Sequence, residues 1–252
     1  MRLMLLAVLG LVGRALFRAR RLPANRPAVF RGRGAVVCLG ASTVQGNVSY
    51  NFVDELSRRL PDRVFVNAGV NGETSAQVLA RVPEVVACQP TDVIVMVGAN
   101  DLSAIRGSRL SGGRHTTFEE YQANLTAIVR ALRPARVAVL SIQPLGERFG
   151  SPENLDMDRL NAVVRSVASA EGVDYLPFNE RMKDLIDDGD QPFRDSLARV
   201  LLAIVLRLGI GLSVDHIGRL FGFRAHTEGL HLASPAGLLA ADLVEEFLTG
   251  SR

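Results

Sequence analysis

Five short apolar runs rich in β-branched residues, 35–39 (AVVCL), 63–67 (RVFVN), 92–98 (DVIVMVG), 136–142 (RVAVLSI) and 173–176 (VDYL), alternate with segments of helical period near 50–60, 75–87, 118–132 and 155–170. No other feature of the chain restricts its fold as much. A strand that is apolar on both faces must be covered on both, and helical connections make consecutive strands parallel. The pattern predicts an α/β fold, a three-layer α/β/α sandwich around a central parallel five-stranded sheet. Thr117 followed by Glu120 reads as a capping box at the start of the third helix. At 252 residues, 48% hydrophobic and 22% charged, the chain suffices for one such domain and is too short for two large ones.

The charge is unevenly placed. Residues 1–33 contain eight Arg and no Asp or Glu, so the net +3 is a basic tail on a body of about −5. A basic tail on an acidic body suits an anionic membrane surface better than a nucleic-acid groove, and the body shows no basic, aromatic-studded face for nucleic acid. Residues 3–13 are uncharged and mostly apolar, but the run is shorter than the roughly 20 residues a spanning helix needs. It looks like the apolar core of a signal peptide, without a clean small-x-small cleavage site behind it. Arg14, Arg18 and Arg21 share one helical face, which suits a helix lying in the membrane interface. Residues 1–28 are therefore expected to be a membrane-associating or signal segment and linker, the linker marked by Pro23 and Pro27. Residues 29–252 are expected to be a single domain, and the protein to be membrane-associated or exported. One segment breaks the strand–helix rhythm: residues 194–224 are strongly apolar and carry Arg199, Arg207, Arg219 and Arg224. It reads as a buried helix pair, as a cap over the site, or as a second membrane-facing surface.

In an open parallel sheet, ligands bind beyond the carboxyl ends of the strands. Three predicted ends carry polar groups: Gly40-Ala41-Ser42-Thr43 after the first, residues 67–75 (NAGVNGETS) after the second, and Gly98-Ala99-Asn100-Asp101 after the third. Residues 227–237 (TEGLHLASPAG) precede the last helix. Singly each is weak, since Ser after a strand is usually a helix cap, Asn-Gly usually a turn, and a lone His usually structural. The two cysteines, Cys38 and Cys88, give neither a disulfide framework nor metal-ligand spacing, and Cys38 reads as a small buried hydrophobe.

Together, in this order, these blocks resemble the SGNH hydrolases, also called the GDSL esterase/lipase family, over residues 35–248. The resemblance implies a flavodoxin-like sheet and puts Ser42 at the nucleophile, Gly72 at the oxyanion glycine, Asn100 at the oxyanion amide and His231 at the general base. It implies an ester substrate, no cofactor and no metal. Two positions depart from the family pattern: Ala41 stands where Asp is usual, and Glu228 replaces the Asp three residues before the histidine. Glu228 is expected to orient His231, with Asp215 as a substitute acid. His115, His216 and His226 read as loop or surface residues.

The chemistry needs these residue types. A serine hydroxyl is a poor nucleophile until a base takes its proton, and imidazole, with an ordinary pKa near 6.5, suits that exchange. Attack on an ester carbonyl builds an oxyanion, for which the donors would be the N–H groups of Ser42 and Gly72 and the side-chain amide of Asn100. A dinucleotide binder would need G-x-G-x-x-G after the first strand, and the Gly32/Gly34 pair lies before it. A metal hydrolase would need clustered His and Asp ligands. A non-enzymatic membrane-associated binding protein would not need Ser42, Gly72, Asn100 and His231 together. The apolar segments point to a serine esterase acting on hydrophobic or lipid-like esters; a carbohydrate O-deacetylase or acyltransferase, or a thioesterase, would use the same site.

Overall fold

The computed structural model describes residues 2–186 and 189–250, without the side chains of residues 2–8; Met1, 187–188 and 251–252, and those side chains of the apolar run, lie outside it. Five strands, β1 Val36–Gly40, β2 Phe65–Gly69, β3 Asp92–Met96, β4 Arg136–Leu140 and β5 Asp174–Leu176, pair in parallel in the order β2-β1-β3-β4-β5. β1, β2 and β3 are buried along their whole length, as strands covered on both faces must be.

The helices in chain order are α1 Arg2–Ala19, α2 Ser42–Gln45, α3 Phe52–Arg59, α4 Ser75–Val86, α5 Ala99–Ile105 and α6 Phe118–Ala131. They continue with α7 Pro152–Glu171, α8 Phe178–Ile186, α9 Leu197–Ile204, α10 Val214–Phe221 and α11 Ser234–Thr249. α3, α8 and α11 pack together in one layer, and α4, α6 and α7 in the other. This is the three-layer sandwich that the alternation of runs predicts. The capping box is present: Thr117 Oγ1 accepts from Glu120 N at 3.1 Å, and Thr117 N donates to Glu120 Oε2 at 3.0 Å. The third run stops as a strand at Met96, because the Val97 carbonyl accepts from the buried Tyr121 hydroxyl and Gly98 turns to φ +152°. α5 then starts inside the Gly98–Asp101 motif, so that Asn100 stands in its first turn.

The N-terminal segment lies against the body. α1 packs on a π-helical turn, Val205–Ile210, that prolongs α9. Gly209 makes the approach possible, since a Cβ there would lie 3.0 Å from the Leu11 carbonyl oxygen. Arg18 donates to the Leu208 carbonyl at 3.0 Å, whereas Arg14 faces solvent and Arg21, beyond the helix end, covers the Phe17 ring at 5.1 Å. The three arginines therefore do not form one solvated face, because Arg18 is taken up by the helix pair. Past α1, Asn67 N donates to the Asn25 carbonyl at 2.8 Å and the Asn25 amide donates to the Phe65 carbonyl, so the linker covers the outer edge of β2. Residues 194–224 do form a helix pair, but a half-exposed one: α10 buries Val214 and Ile217, while α9 buries Ala203 and keeps Leu197, Leu201 and Leu202 in solvent. Among the described residues no helix is long and apolar enough to cross a membrane.

Candidate active site

The strand order reverses at β1: the chain steps from β1 to β2 on one side, then crosses back to β3 on the other, and at such a switch point open α/β sheets place their ligands. Ser42 is the first residue of α2, two residues beyond β1. The turn is tight because two glycines allow it. A Cβ on Gly40 would lie 2.2 Å from the Met96 carbonyl oxygen, and one on Gly69 would lie 2.2 Å from Gln45 N. Asn67, buried at the level of β2, fastens α2 by donating to the Val44 carbonyl at 2.8 Å while accepting from Gly69 N at 2.9 Å. The cap position of α2 is Ala41, which offers no side-chain bond, so the Ser42 hydroxyl is not spent on capping.

That hydroxyl lies 3.0 Å from His231 Nε2, and His231 Nδ1 lies 2.6 Å from Glu228 Oε1. Glu228 and His231 are both buried. With Nδ1 against a carboxylate, the ring carries its proton there and leaves Nε2 to accept from Ser42. The turn that holds the ring is closed by Thr227 N to the His231 carbonyl at 2.7 Å and by Thr227 Oγ1 to the Leu232 carbonyl at 3.1 Å. Gln143 braces it against the serine turn, donating to the Leu230 carbonyl at 3.0 Å and Thr43 Oγ1 at 3.3 Å. Asp215 lies elsewhere: its oxygens accept from Ser234 N at 2.8 Å and Ser234 Oγ at 2.7 Å. It supplies the start of α11 with the cap that Ala233 cannot.

Gly72 sits at φ +77°, a left-handed backbone that disfavours other residues, and no protein atom lies within 4 Å of where its Cβ would be. The backbone angle, not crowding, is what requires glycine. Asn100 Nδ2 donates to the Glu73 carbonyl at 2.9 Å, which fixes the amide plane and leaves its second N–H for a ligand. The bond also ties Asn100 to the residue following Gly72. Glu73 is in turn clamped by Arg81 Nε at 2.8 and 3.0 Å. Asp101 accepts from Ser75 N at 3.0 Å and Ser75 Oγ at 2.5 Å, joining the α5 and α4 starts; burial raises its pKa. Burial likewise pushes the Cys38 thiol up to about 12, so it behaves as a small apolar side chain.

His115 and His216 are exposed; His226 lies in the loop between α10 and α11, as expected, but is fully buried there and not at the surface. The reason is a partner with no sequence motif. Glu147 Oε1 lies 3.3 Å from His226 Nδ1, and the Pro144 carbonyl lies 2.9 Å from Nε2. Glu147 Oε1 also accepts from Ala225 N at 2.8 Å and Arg224 N at 2.9 Å. Burial alone would raise the Glu147 carboxyl, but the His226 ring and these N–H donors hold it below its ordinary value. The pair anchors the loop leading to Glu228 and His231.

Residues 38–201 match the GDSL-like lipase/acylhydrolase family. The match contains Ser42, Gly72 and Asn100 and ends before Glu228 and His231. An acetylxylan esterase of Geobacillus stearothermophilus is 28% identical over 127 residues, 48% of this chain and 58% of that protein's length. Esterase TesA of Pseudomonas aeruginosa is 31% identical over 154 residues, 58% of this chain and 67% of TesA. Among solved structures, a lipase/acylhydrolase from Enterococcus faecalis superposes with a TM-score of 0.61 at 19% identity, covering 86% of this chain and 96% of the other. At that identity the likeness concerns the fold.

Proposed function

The chain belongs to the GDSL-like lipase/acylhydrolase family and is a carboxylic ester hydrolase; from that premise we propose that it works through an acyl-enzyme on Ser42. The observation that carries the reading is the contact chain Ser42 Oγ, His231 Nε2, His231 Nδ1, Glu228 Oε1, with gaps of 3.0 and 2.6 Å. Ser42 Oγ attacks the ester carbonyl carbon as its proton passes to His231 Nε2. Glu228 keeps the ring oriented and stabilises the imidazolium. The oxyanion accepts from Ser42 N–H, Gly72 N–H and the second N–H of Asn100. Collapse expels the alcohol, which takes the proton from His231. Water then attacks the acyl carbon with His231 again as base, releasing the acid and restoring Ser42.

The substrate proposed is a hydrophobic or lipid-like ester, supported by the apolar α9 segment beside the loop that carries His231. A second reading, carbohydrate O-deacetylation, is supported by the match to an acetylxylan esterase. Turnover of p-nitrophenyl esters of increasing chain length, set beside acetate release from acetylated xylan, separates them. Rising kcat/KM with chain length supports the first reading; activity confined to acetyl groups supports the second.

A further inference from the structure

The two apolar segments, about 190 residues apart in the chain, form one surface. On α1, Ala15 is buried against the π-helical turn while Leu9, Leu16 and Phe17 face solvent. On α9, Leu197 and Leu201 share one face four residues apart, and Leu202 stands beside Leu201; all three are exposed as well. Phe17 is 64% and Leu202 48% exposed, so each forgoes stabilisation that burial of its apolar area would give.

On the α1 side of this surface the charge has one sign. Residues 1–33 hold eight Arg and no acid, and among the described residues no ion pair uses any of the seven between Arg14 and Arg33. Arg14, on α1 with Leu16 and Phe17, and Arg20, the first residue past its end, are both exposed. Exposed leucines and phenylalanine among uncompensated arginines complement a surface that is apolar within and anionic at its rim, which is a bilayer containing anionic phospholipid.

The surface is also fastened to the loops of the site. The Asn71 amide donates to the Ala19 carbonyl at 2.9 Å, and Gln45 and Asn47 donate to the Arg21 carbonyl at 2.8 and 2.9 Å. The end of α1 is thus held by the turns that carry Ser42 and Gly72. From α9, Arg199 lies over the Phe221 and Phe223 rings at 4.5 and 5.0 Å, and Phe223 packs edge-on to His226 at 5.8 Å.

We propose that α1 and α9 together form a docking surface for anionic phospholipid bilayers, and that the bonds from Gln45, Asn47 and Asn71 set how the catalytic loops stand relative to the bilayer. α1 lies in the interface and does not insert across it. Removing residues 1–28 would strip the body of partners for those side chains, so the test uses point variants of the full chain. Cosedimentation with phosphatidylglycerol–phosphatidylcholine vesicles, at low and high salt, is compared with phosphatidylcholine vesicles alone. The wild type sediments with the anionic vesicles, and less so as salt rises. The variant F17E/L202E binds at least about tenfold more weakly, and R14Q/R20Q loses about fivefold for each arginine. All four positions are exposed, so melting temperature and p-nitrophenyl acetate turnover stay at wild-type values. Should F17E/L202E melt lower, the arginine pair alone decides. The proposal is overturned if the wild type ignores anionic vesicles at low salt, or if the folded variants bind as well as it does. It is equally overturned if the wild type sediments as a dimer that F17E/L202E splits, without binding vesicles, for the face then belongs to a second copy of the chain.

Discussion

Glu228 Oε1 and His231 Nδ1, three residues apart in one closed turn, lie 2.6 Å from each other, and both side chains are buried. The extra methylene that distinguishes this acid from the family's usual aspartate does not separate it from the imidazole. Glu228→Gln keeps the size but removes the charge that stabilises the imidazolium, and it should lower kcat by about 10²–10⁴-fold. Asp215→Asn should leave kcat within a few-fold and instead cost about 1 kcal/mol of stability, through the Ser234 cap. Steady-state kinetics and denaturant titration of both variants check the assignment. The reverse pattern would move the acid to Asp215.

Asn100→Ala should lower kcat by about 10²–10³-fold with a smaller change in KM, because the amide bonds the oxyanion better than the substrate carbonyl. The Asn100 contact to the Glu73 carbonyl is lost in the same variant. An effect confined to KM would make Asn100 a substrate-binding residue.

Gly72→Ala separates backbone conformation from packing. A Cβ at this position meets no protein atom, but φ +77° costs an alanine about 1 kcal/mol, or roughly 2–4 °C in a chain of this size. The variant should fold with that small loss and show a larger loss in kcat as its N–H moves. Calorimetry beside single-turnover kinetics reads both.

The architecture was legible because strands buried on both faces leave uninterrupted apolar runs, and those runs fall within two residues of β1 to β5. The clustered site residues were legible only through four blocks in order, since Ser42, Gly72, Asn100 and Glu228–His231 lie on separate segments beyond the strand ends that periodicity cannot bring together. What was not legible depends on side chains reaching far along the chain. Gln45, Asn47 and Asn71 hold the α1 end across 24 to 52 residues, and nothing local marks them. Glu147 meets His226 across 79 residues, which is why His226 reads as a surface residue in the sequence and is buried in the fold.

That pair gives a pH prediction. The Glu147 carboxyl lies below its ordinary value of 4.5 in the fold, so it stabilises the native state above pH 4.5, and the gain disappears as pH falls through the lowered value. Glu55, held low first by Arg59, and Glu171, held low first by Arg130, add to the same slope. The informative quantity is therefore the difference between wild type and Glu147→Gln. The variant should be less stable by about 1–3 kcal/mol near neutral pH, as the Arg224 and Ala225 N–H groups lose their charged acceptor, and the gap should narrow below pH 4.5. Melts across that range measure it; a gap that widens on acidification would contradict the assignment.

The acyl-enzyme on Ser42 is tested most directly by covalent capture. Wild-type protein incubated with a fluorophosphonate, digested and read by mass spectrometry should carry the adduct on the peptide containing Ser42. Ser42→Ala should remain unlabelled, melt as the wild type does and lose ester turnover, while His231→Ala should label far more slowly. A Ser42→Ala protein that still takes the label and turns over ester at the wild-type rate would contradict the account.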